Sequence, residues 1–352
     1  MARAGRSTKT VLGLEIEPSH LAAAEATANG RVEVHRAAVA RLSPGLVRDG
    51  EVTDTDGLAQ ALKSFFSEHK LPKRVRLGVA NQRIVVRTID LPVIEDRAEL
   101  ASAVRFQAQE NIPMPLDQAV LDFQELGRVE DDQGAKLRVV LVAARRDMVD
   151  RLLGAVRAAG LRTEGIDLSA FAMVRALGAG PATEEATLYV NVGSMTNLAI
   201  AAGGACSFTR VTSSGLDAMV TELAERRGLV LEHAEQWLAH VGLSTPVDAI
   251  EGDAEIVEDA RSVLGAGVDR IADDVRNSLD FYSAQGGAVP VTRAVVTGAA
   301  LAIPGFVDHL GSSLSVPVEA SAVSEARPGA LNEVDAGRVT VAAGLSVGEV
   351  AS

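Results

Sequence analysis

The sequence predicts a layered α/β protein built from two similar halves, and two patterns predict it. The first is a repeated run of strand, polar turn, strand, glycine-containing turn and strand, which is how a β-meander reads. It occupies residues 11–34 and returns at 188–210, so Glu15 and Asn191 hold matching places half the chain length apart. The second pattern is the alternation of short apolar runs with segments of helical periodicity between and after the meanders. Sheets covered by helices produce that alternation.

The elements follow in order. Residues 11–16 form a strand, Pro18, Ser19 and His20 a polar turn, 21–26 a second strand, Asn29 and Gly30 a second turn, and 31–34 a third strand. Asp54 caps a helix that sets Leu58, Leu62, Phe65 and Phe66 on one face and closes at Pro72. Residues 75–86 read as strand, turn at Asn81, strand. A second helix runs over 96–110 and stops before Pro113 and Pro115. The continuous apolar run 137–143 is a buried strand, and the helix after it aligns Met148, Val149, Leu152, Leu153 and Val156 before ending at Gly160. In the second half, helices are expected over 216–227, 231–240 and 255–284, the last broken near Gly265 and Gly267. Gly286-Gly287 then loops into a buried strand at 293–297, which enters Gly298-Ala299-Ala300. Helices after Pro304 and over 337–347 complete the pattern.

Composition narrows the function classes. With 352 residues, 47% hydrophobic and 23% charged, the chain can bury a sizeable core in two or three folding units. Aromatics are 3%, so that core is made of Ala, Val, Leu and Ile. A net charge of −13, spread along the chain, argues against a nucleic-acid binder, which needs a concentrated basic face. The single cysteine, Cys206, excludes an intramolecular disulfide and fits a reducing cytoplasm. It has no convincing partner base for nucleophilic chemistry. No apolar run reaches the roughly 18 residues that span a bilayer. Arg3, Arg6 and Lys9 precede an apolar stretch too short for a signal sequence and read as a frayed tail. His233, His240 and His309 lack metal-ligand spacing, and Trp237 reads as a packing residue.

Three loops follow buried strands and are small or polar enough to face phosphates: 15–20, 191–197 and 298–300. Two opposed hairpin turns can wrap a triphosphate with backbone N–H groups and hydroxyls, and a Gly-rich strand-to-helix turn can approach a nucleoside. The candidate nucleotide-binding residues are Glu15, Ser19, His20, Asn191, Gly193, Ser194, Thr196, Asn197, Gly298 and Ala299.

The stretch Arg87-Thr-Ile-Asp-Leu-Pro92, the run Gln109-Glu-Asn-Ile-Pro113-Met-Pro115-Leu-Asp117 and Val120-Leu-Asp-Phe-Gln-Glu125 resemble the hallmark segment of the PilM family. So do Leu141-Val-Ala-Ala-Arg-Arg-Asp147, Gly160-Leu161 and Gly165-Ile-Asp167, with Ser278-Leu-Asp-Phe-Tyr282 and Val296-Thr-Gly-Ala-Ala-Leu-Ala-Ile-Pro-Gly305 matching the closing motifs. The resemblance covers about 10–347 in unbroken order. It implies a duplicated actin-like (ribonuclease-H-like) fold similar to FtsA, with two lobes and an inserted subdomain 1C. Subdomain 1A would be 10–85 with 163–182, the SHS2-like 1C insert 86–162, 2A 183–215 with 281–350, and 2B 216–280. It also implies a cytoplasmic scaffold of type IV pilus assembly that binds ATP with Mg²⁺ and docks the N-terminal peptide of a PilN-like inner-membrane protein. Such a scaffold lies at the inner face of the membrane and couples it to the pilus motor ATPases. Groove candidates for the peptide are Val75, Leu77, Val79, Ile84, Ile112, Leu121 and Phe123.

The chain departs from the family's nucleotide pattern at four places. Where relatives read Asp-Ile-Gly and then hydroxyl residues, this chain has Glu15-Ile16-Glu17 before Pro18-Ser19-His20. Glycine lets backbone approach a phosphate without a Cβ. Glu17 adds bulk and charge, and two unit charges about 4 Å apart repel by roughly 4 kcal/mol at an effective dielectric near 20 unless the carboxylate turns to solvent. Asn191 replaces the aspartate of the second loop, Ala299 follows Gly298 where a second glycine is usual, and Leu238 replaces a lysine after the retained Ala234-Glu235. These changes imply weak or absent ATP hydrolysis and impaired binding. The rival expectations are a competent ATPase or kinase of the same superfold, and an FtsA-like division filament. The second would need an amphipathic C-terminal anchor, which Val347 to Ser352 does not supply.

Overall fold

The computed structural model describes residues 11–131, 134–178, 185–332 and 334–348. Arg3, Arg6 and Lys9, the end of the expected 163–182 return and residues 349–352 lie outside the described residues.

The first half opens with β1 (Leu12–Ile16), β2 (His20–Ala28) and β3 (Val32–Arg41), an antiparallel meander with Glu15 opposite Ala22 and Ala23 opposite Ala38. A short hairpin of β4 (Val47–Arg48) and β5 (Glu51–Val52) leads to α1 (Thr55–Glu68). Asp54 caps α1, accepting from Gly57 N at 2.9 Å, and Leu58, Leu62, Phe65 and Phe66 face the sheet as expected. Then β6 (Arg74–Val79) lies parallel to β1. Between β6 and the return of the chain to this sheet stand β7 (Val85–Pro92), α2 (Arg97–Asn111), β8 (Ala119–Asp131) and β9 (Gly134–Arg145). They form a separate three-stranded sheet in the order β7-β9-β8. Leu100, Val104 and Ala108 of α2 pack on Leu91, Leu137, Val139 and Leu141, giving this unit its own small core. The chain returns through α3 (Arg146–Ala158), β10 (Arg162–Leu168) parallel to β6, and α4 (Ser169–Leu177). Leu152 and Val156 of α3 join the core under the first sheet, beside Leu58 and Leu62 of α1. Each such fully buried Leu or Val contributes about 1.5–3 kcal/mol.

The second half repeats the plan. β11 (Ala186–Val192), β12 (Thr196–Ala202) and β13 (Ala205–Thr212) form the meander, followed by α5 (Leu216–Arg227), α6 (Leu231–Val241) and α7 (Ala254–Ser283). β14 (Val291–Thr297) pairs parallel with β11, and after α8 (Phe306–Ser312), β15 (Val318–Ala320) pairs parallel with β14. The two sheets thus share one order, β3-β2-β1-β6-β10 in the first and β13-β12-β11-β14-β15 in the second. The chain then crosses back. β16 (Ser324–Glu325) extends the first sheet beside β3, and α9 (Thr340–Ser346) lies against β1 and β2. Gly13 makes that approach feasible, because a Cβ there would sit 1.8 Å from the Ala342 carbonyl oxygen. Helices α4 and α9 also meet the second sheet, where Met173, Val341 and Leu345 join Tyr189 and Ala199 in one core between the halves.

Residues 75–86 are strand, turn and strand as expected, with β6 and β7 in different sheets; Asn81 anchors the crossover by donating to Asp49 O (2.6 Å) and accepting from Arg83 N (2.7 Å). Two expectations are corrected. The long helix does not break at Gly265 or Gly267. It continues through both, because Gly267 admits Met219 of α5, whose methyl carbon would stand 2.4 Å from a Cβ. Val75 and Leu77 are fully buried beneath the first sheet and Ile112 lies in the insert's core, so these three do not line a groove.

Candidate functional site

Both meanders end their first strand at a tight turn. In the first, Glu17 N–H donates to His20 O at 2.9 Å; in the second, Gly193 N–H donates to Met195 O at 3.0 Å. β14 ends at Gly298, whose φ of +99° glycine alone adopts freely and which leaves no room for a Cβ beside Asn191 Oδ1. The three turns converge, as the sequence order predicts. Ser19 Oγ lies 2.7 Å from Ser194 Oγ and donates to Asp217 Oδ1 at 2.7 Å. The start of α5 is pressed onto the second turn, with Leu216 N–H donating to Gly193 O at 2.9 Å.

A cavity of about 380 Å³ opens there. Of the ten candidates, Ser19, His20, Gly193, Ser194 and Ala299 line it. Glu15 and Asn191 do not; they are buried behind the turns, around a chamber of about 20 Å³ that also touches Glu17 and Asn197. Asn197 opens instead on a second cavity of about 450 Å³, lined also by Val79, Ile84, Thr212 and Asp274. Thr196 is fully buried, and Gly298 serves the backbone turn. Neither cavity takes Leu121 or Phe123, which pack partly buried against the insert's own core.

The electrostatics of the first cavity are set by carboxylates. Glu17 does not turn to solvent. Its side chain lies on Gly193, where a Cβ would stand 2.3 Å from Oε1, and reaches Ser194 Oγ at 3.5 Å. Burial, then the Asp217 charge, push its carboxyl up to about 7, against the opposing pull of Arg338 and of hydrogen bonds from Ser194. Burial raises Glu15 well above the ordinary carboxylate range, with Glu17 adding to the effect. Burial also raises Asp217, although Ser19 and Ser194 hydrogen-bond to it. His20 is pushed down to about 4, first by burial and then by Arg338. At the cavity mouth Glu235 of α6 pairs with Arg41 of β3 and with Arg338 (2.9 Å), and His20 stands 3.8 Å away. The Glu17 carboxyl thus lies against the face of Gly193.

Sequence reasoning missed Asp217, Arg41 and Arg338, whose partners are remote in the chain. Asp217 had one local signal, a carboxylate in the first turn of the helix that follows the second meander. Leu238, where a lysine was expected, is buried in the core of the second half. Cys206 is buried with its thiol pushed up to about 12, and is inert. Among the described residues no helix is long and apolar enough to cross a membrane.

Comparison with known proteins places this geometry. A solved structure of a "PilM-PilN type IV pilus biogenesis complex" is 26% identical over 96% of this chain and 97% of that one, with a TM-score of 0.78. Ethanolamine utilization protein EutJ from Carboxydothermus hydrogenoformans (14% identity, 97% and 90% covered, TM-score 0.55) shares the fold. So does MreB5 of Spiroplasma citri bound to ADP (13% identity, 96% and 95% covered, TM-score 0.54). The duplicated architecture is therefore the actin-like one. The family model described as type IV pilus assembly protein PilM matches residues 13–329, and the chain belongs to that family.

Proposed function

We infer that this chain is a scaffold of type IV pilus assembly that docks the N-terminal peptide of a PilN-like inner-membrane protein, with a cleft too altered for ATP turnover. So bound, it stands at the cytoplasmic face of the membrane, between inner-membrane components and the motor ATPases. The observation that carries the docking reading is the 450 Å³ cavity at the crossover from the first sheet to the insert. Val79 and Ile84 give it an apolar wall, and Asn197 and Thr212 add polar residues to its lining. An extended peptide brings backbone hydrogen-bonding groups together with side chains for such a wall. The similar solved structure is that of a PilM-PilN complex.

Calorimetry with a synthetic peptide from the partner's N-terminus tests this. Binding is expected, weakened at least tenfold by Ile84→Asp. A folded protein that gives no heat with the peptide overturns the reading.

A second reading, a competent ATPase or kinase, is favoured by the 380 Å³ cavity and the retained Gly193 and Gly298. Mg²⁺-ATP at millimolar concentration separates the two. The scaffold reading expects no rise in Tm; a clear Mg²⁺-dependent rise, unchanged in the Glu17→Gly, Asn191→Asp double variant, supports the enzyme.

A further inference from the structure

We propose that Glu17 is a built-in occupant of the cleft: its carboxyl group takes the seat on the Gly193–Ser194 turn that a phosphate would fill, and so clasps the two halves together without any ligand. The proposal rests on the altered-cleft reading and names what has replaced the nucleotide there.

Three contacts support it. Gly193 exposes its Cα face, with no side chain, to a carboxylate that a Cβ would displace, since that Cβ would stand 2.3 Å from Oε1 and 2.9 Å from Oε2 of Glu17. Small residues at such turns admit close approach of an anion. Here the group that approaches is a carboxyl from the opposite half of the same chain. Beside it, Ser19 Oγ of the first half meets Ser194 Oγ and Asp217 Oδ1 of the second, each at 2.7 Å. At the mouth, Arg41 of the first half and Arg338 converge on Glu235 of the second. These contacts pair polar groups of the two halves across the cleft. An unfilled phosphate site, by contrast, leaves N–H groups and cations facing water.

The charged and titratable groups around Glu17 are Glu15 on its own strand, His20 at the start of β2, Arg41 at the end of β3, Asp217 on α5, Glu235 on α6, and Arg338 on the turn before α9. Glu15 and Asp217 repel its charged form and Arg338 draws it in. Burial and Asp217 outweigh the favourable contacts, so the carboxyl is raised above its ordinary value of 4.5. The clasp is therefore held best when Glu17 is protonated, and it loosens as the pH rises through about 7.

The test uses the full chain, its Glu17→Gln and Glu17→Gly variants, and inorganic tripolyphosphate as the probe. Thermal melts are taken from pH 6 to pH 8.5. For the native chain, Tm should fall by several degrees over that range and tripolyphosphate should not shift it. Glu17→Gln keeps the shape of the clasp without its charge, so its Tm should stay high and lose most of the pH slope. Glu17→Gly vacates the seat. It should melt lower than the native chain and gain a tripolyphosphate-dependent rise in Tm at pH 8.

Identical pH slopes in the native chain and Glu17→Gln overturn the proposal. So does Glu17→Gly that melts like the native chain and ignores tripolyphosphate. If the native chain already rises in Tm with Mg²⁺-ATP, the altered-cleft reading fails as well, which is a separate outcome from the loss of the Glu17 effects alone.

Discussion

The two meanders are one device used twice, and their first strands and the turns after them have diverged at the same three places. Gly13 of β1 stands where Tyr189 stands in β11, Glu15 where Asn191 stands, and Glu17 where Gly193 stands. At the first place the small residue lies in the first half, because α9 lies directly on β1, whereas Tyr189 fills the space between β11 and α4. At the third place the small residue lies in the second half and the large one in the first, and the two fit together across the cleft. Duplication supplied a symmetric scaffold. The asymmetry at facing positions now joins its halves.

The largest expected effects come from exchanging small for large at the first place. Tyr189→Ala should cost about 3–5 kcal/mol through the hole it leaves, and Gly13→Val about 3 kcal/mol through collision with α9. Both are read from urea unfolding, and losses below about 1 kcal/mol in either would break the claim that the two sites do opposite packing jobs.

His20 starts β2 at the first turn, and the matching Thr196 of β12 cannot titrate. With its folded pKa pushed down to about 4 from 6.5, His20 gives stability that is full above about 6.5 and lost as the pH falls towards 4. The raised carboxyls act in the reverse sense on the neutral side. Replacing His20 with Asn should flatten the acid limb of a Tm-against-pH curve, by at most about 3 kcal/mol in equivalent stability. An unchanged acid limb would remove His20 from the account.

The helices that follow the meanders sharpen the contrast further. α1 is capped by the Asp54 side chain, while α5 begins at Gly215, where a Cβ would stand 2.4 Å from Ser194 O. Gly215→Ala should therefore cost about 2 kcal/mol by moving the second turn, and Asp54→Ala about 1 kcal/mol by uncapping an exposed helix end. Equal losses would mean that α5 is not braced against the turn.

Much of this was legible in the sequence, and the reasons are local. The meanders declare themselves through strand periodicity and Asn29-Gly30 or Gly203-Gly204 turns, and the helix at Asp54 through its cap and apolar face. Convergence of the three loops follows from the repeat. What stayed hidden depends on partners distant in the chain. The glycines within α7 look like breakers until Met219 is seen against Gly267. The strand pattern of 75–86 carries no sign that its two halves serve different sheets. Glu17 is visibly out of place as a phosphate-loop residue, yet its inward turn is decided by Gly193, which only the folded chain brings to it.

The return of the chain through β16 and α9 has a consequence for biosynthesis. The first sheet pairs β3 with a strand at 324–325 and rests on a helix at 340–346. A ribosome delivers the earlier residues first, so the N-terminal lobe waits with its inner face uncovered until residues 340–346 have emerged. The two lobes then reach their final form together, and a truncated translation product would leave an exposed sheet of alanine and valine for chaperones to shelter.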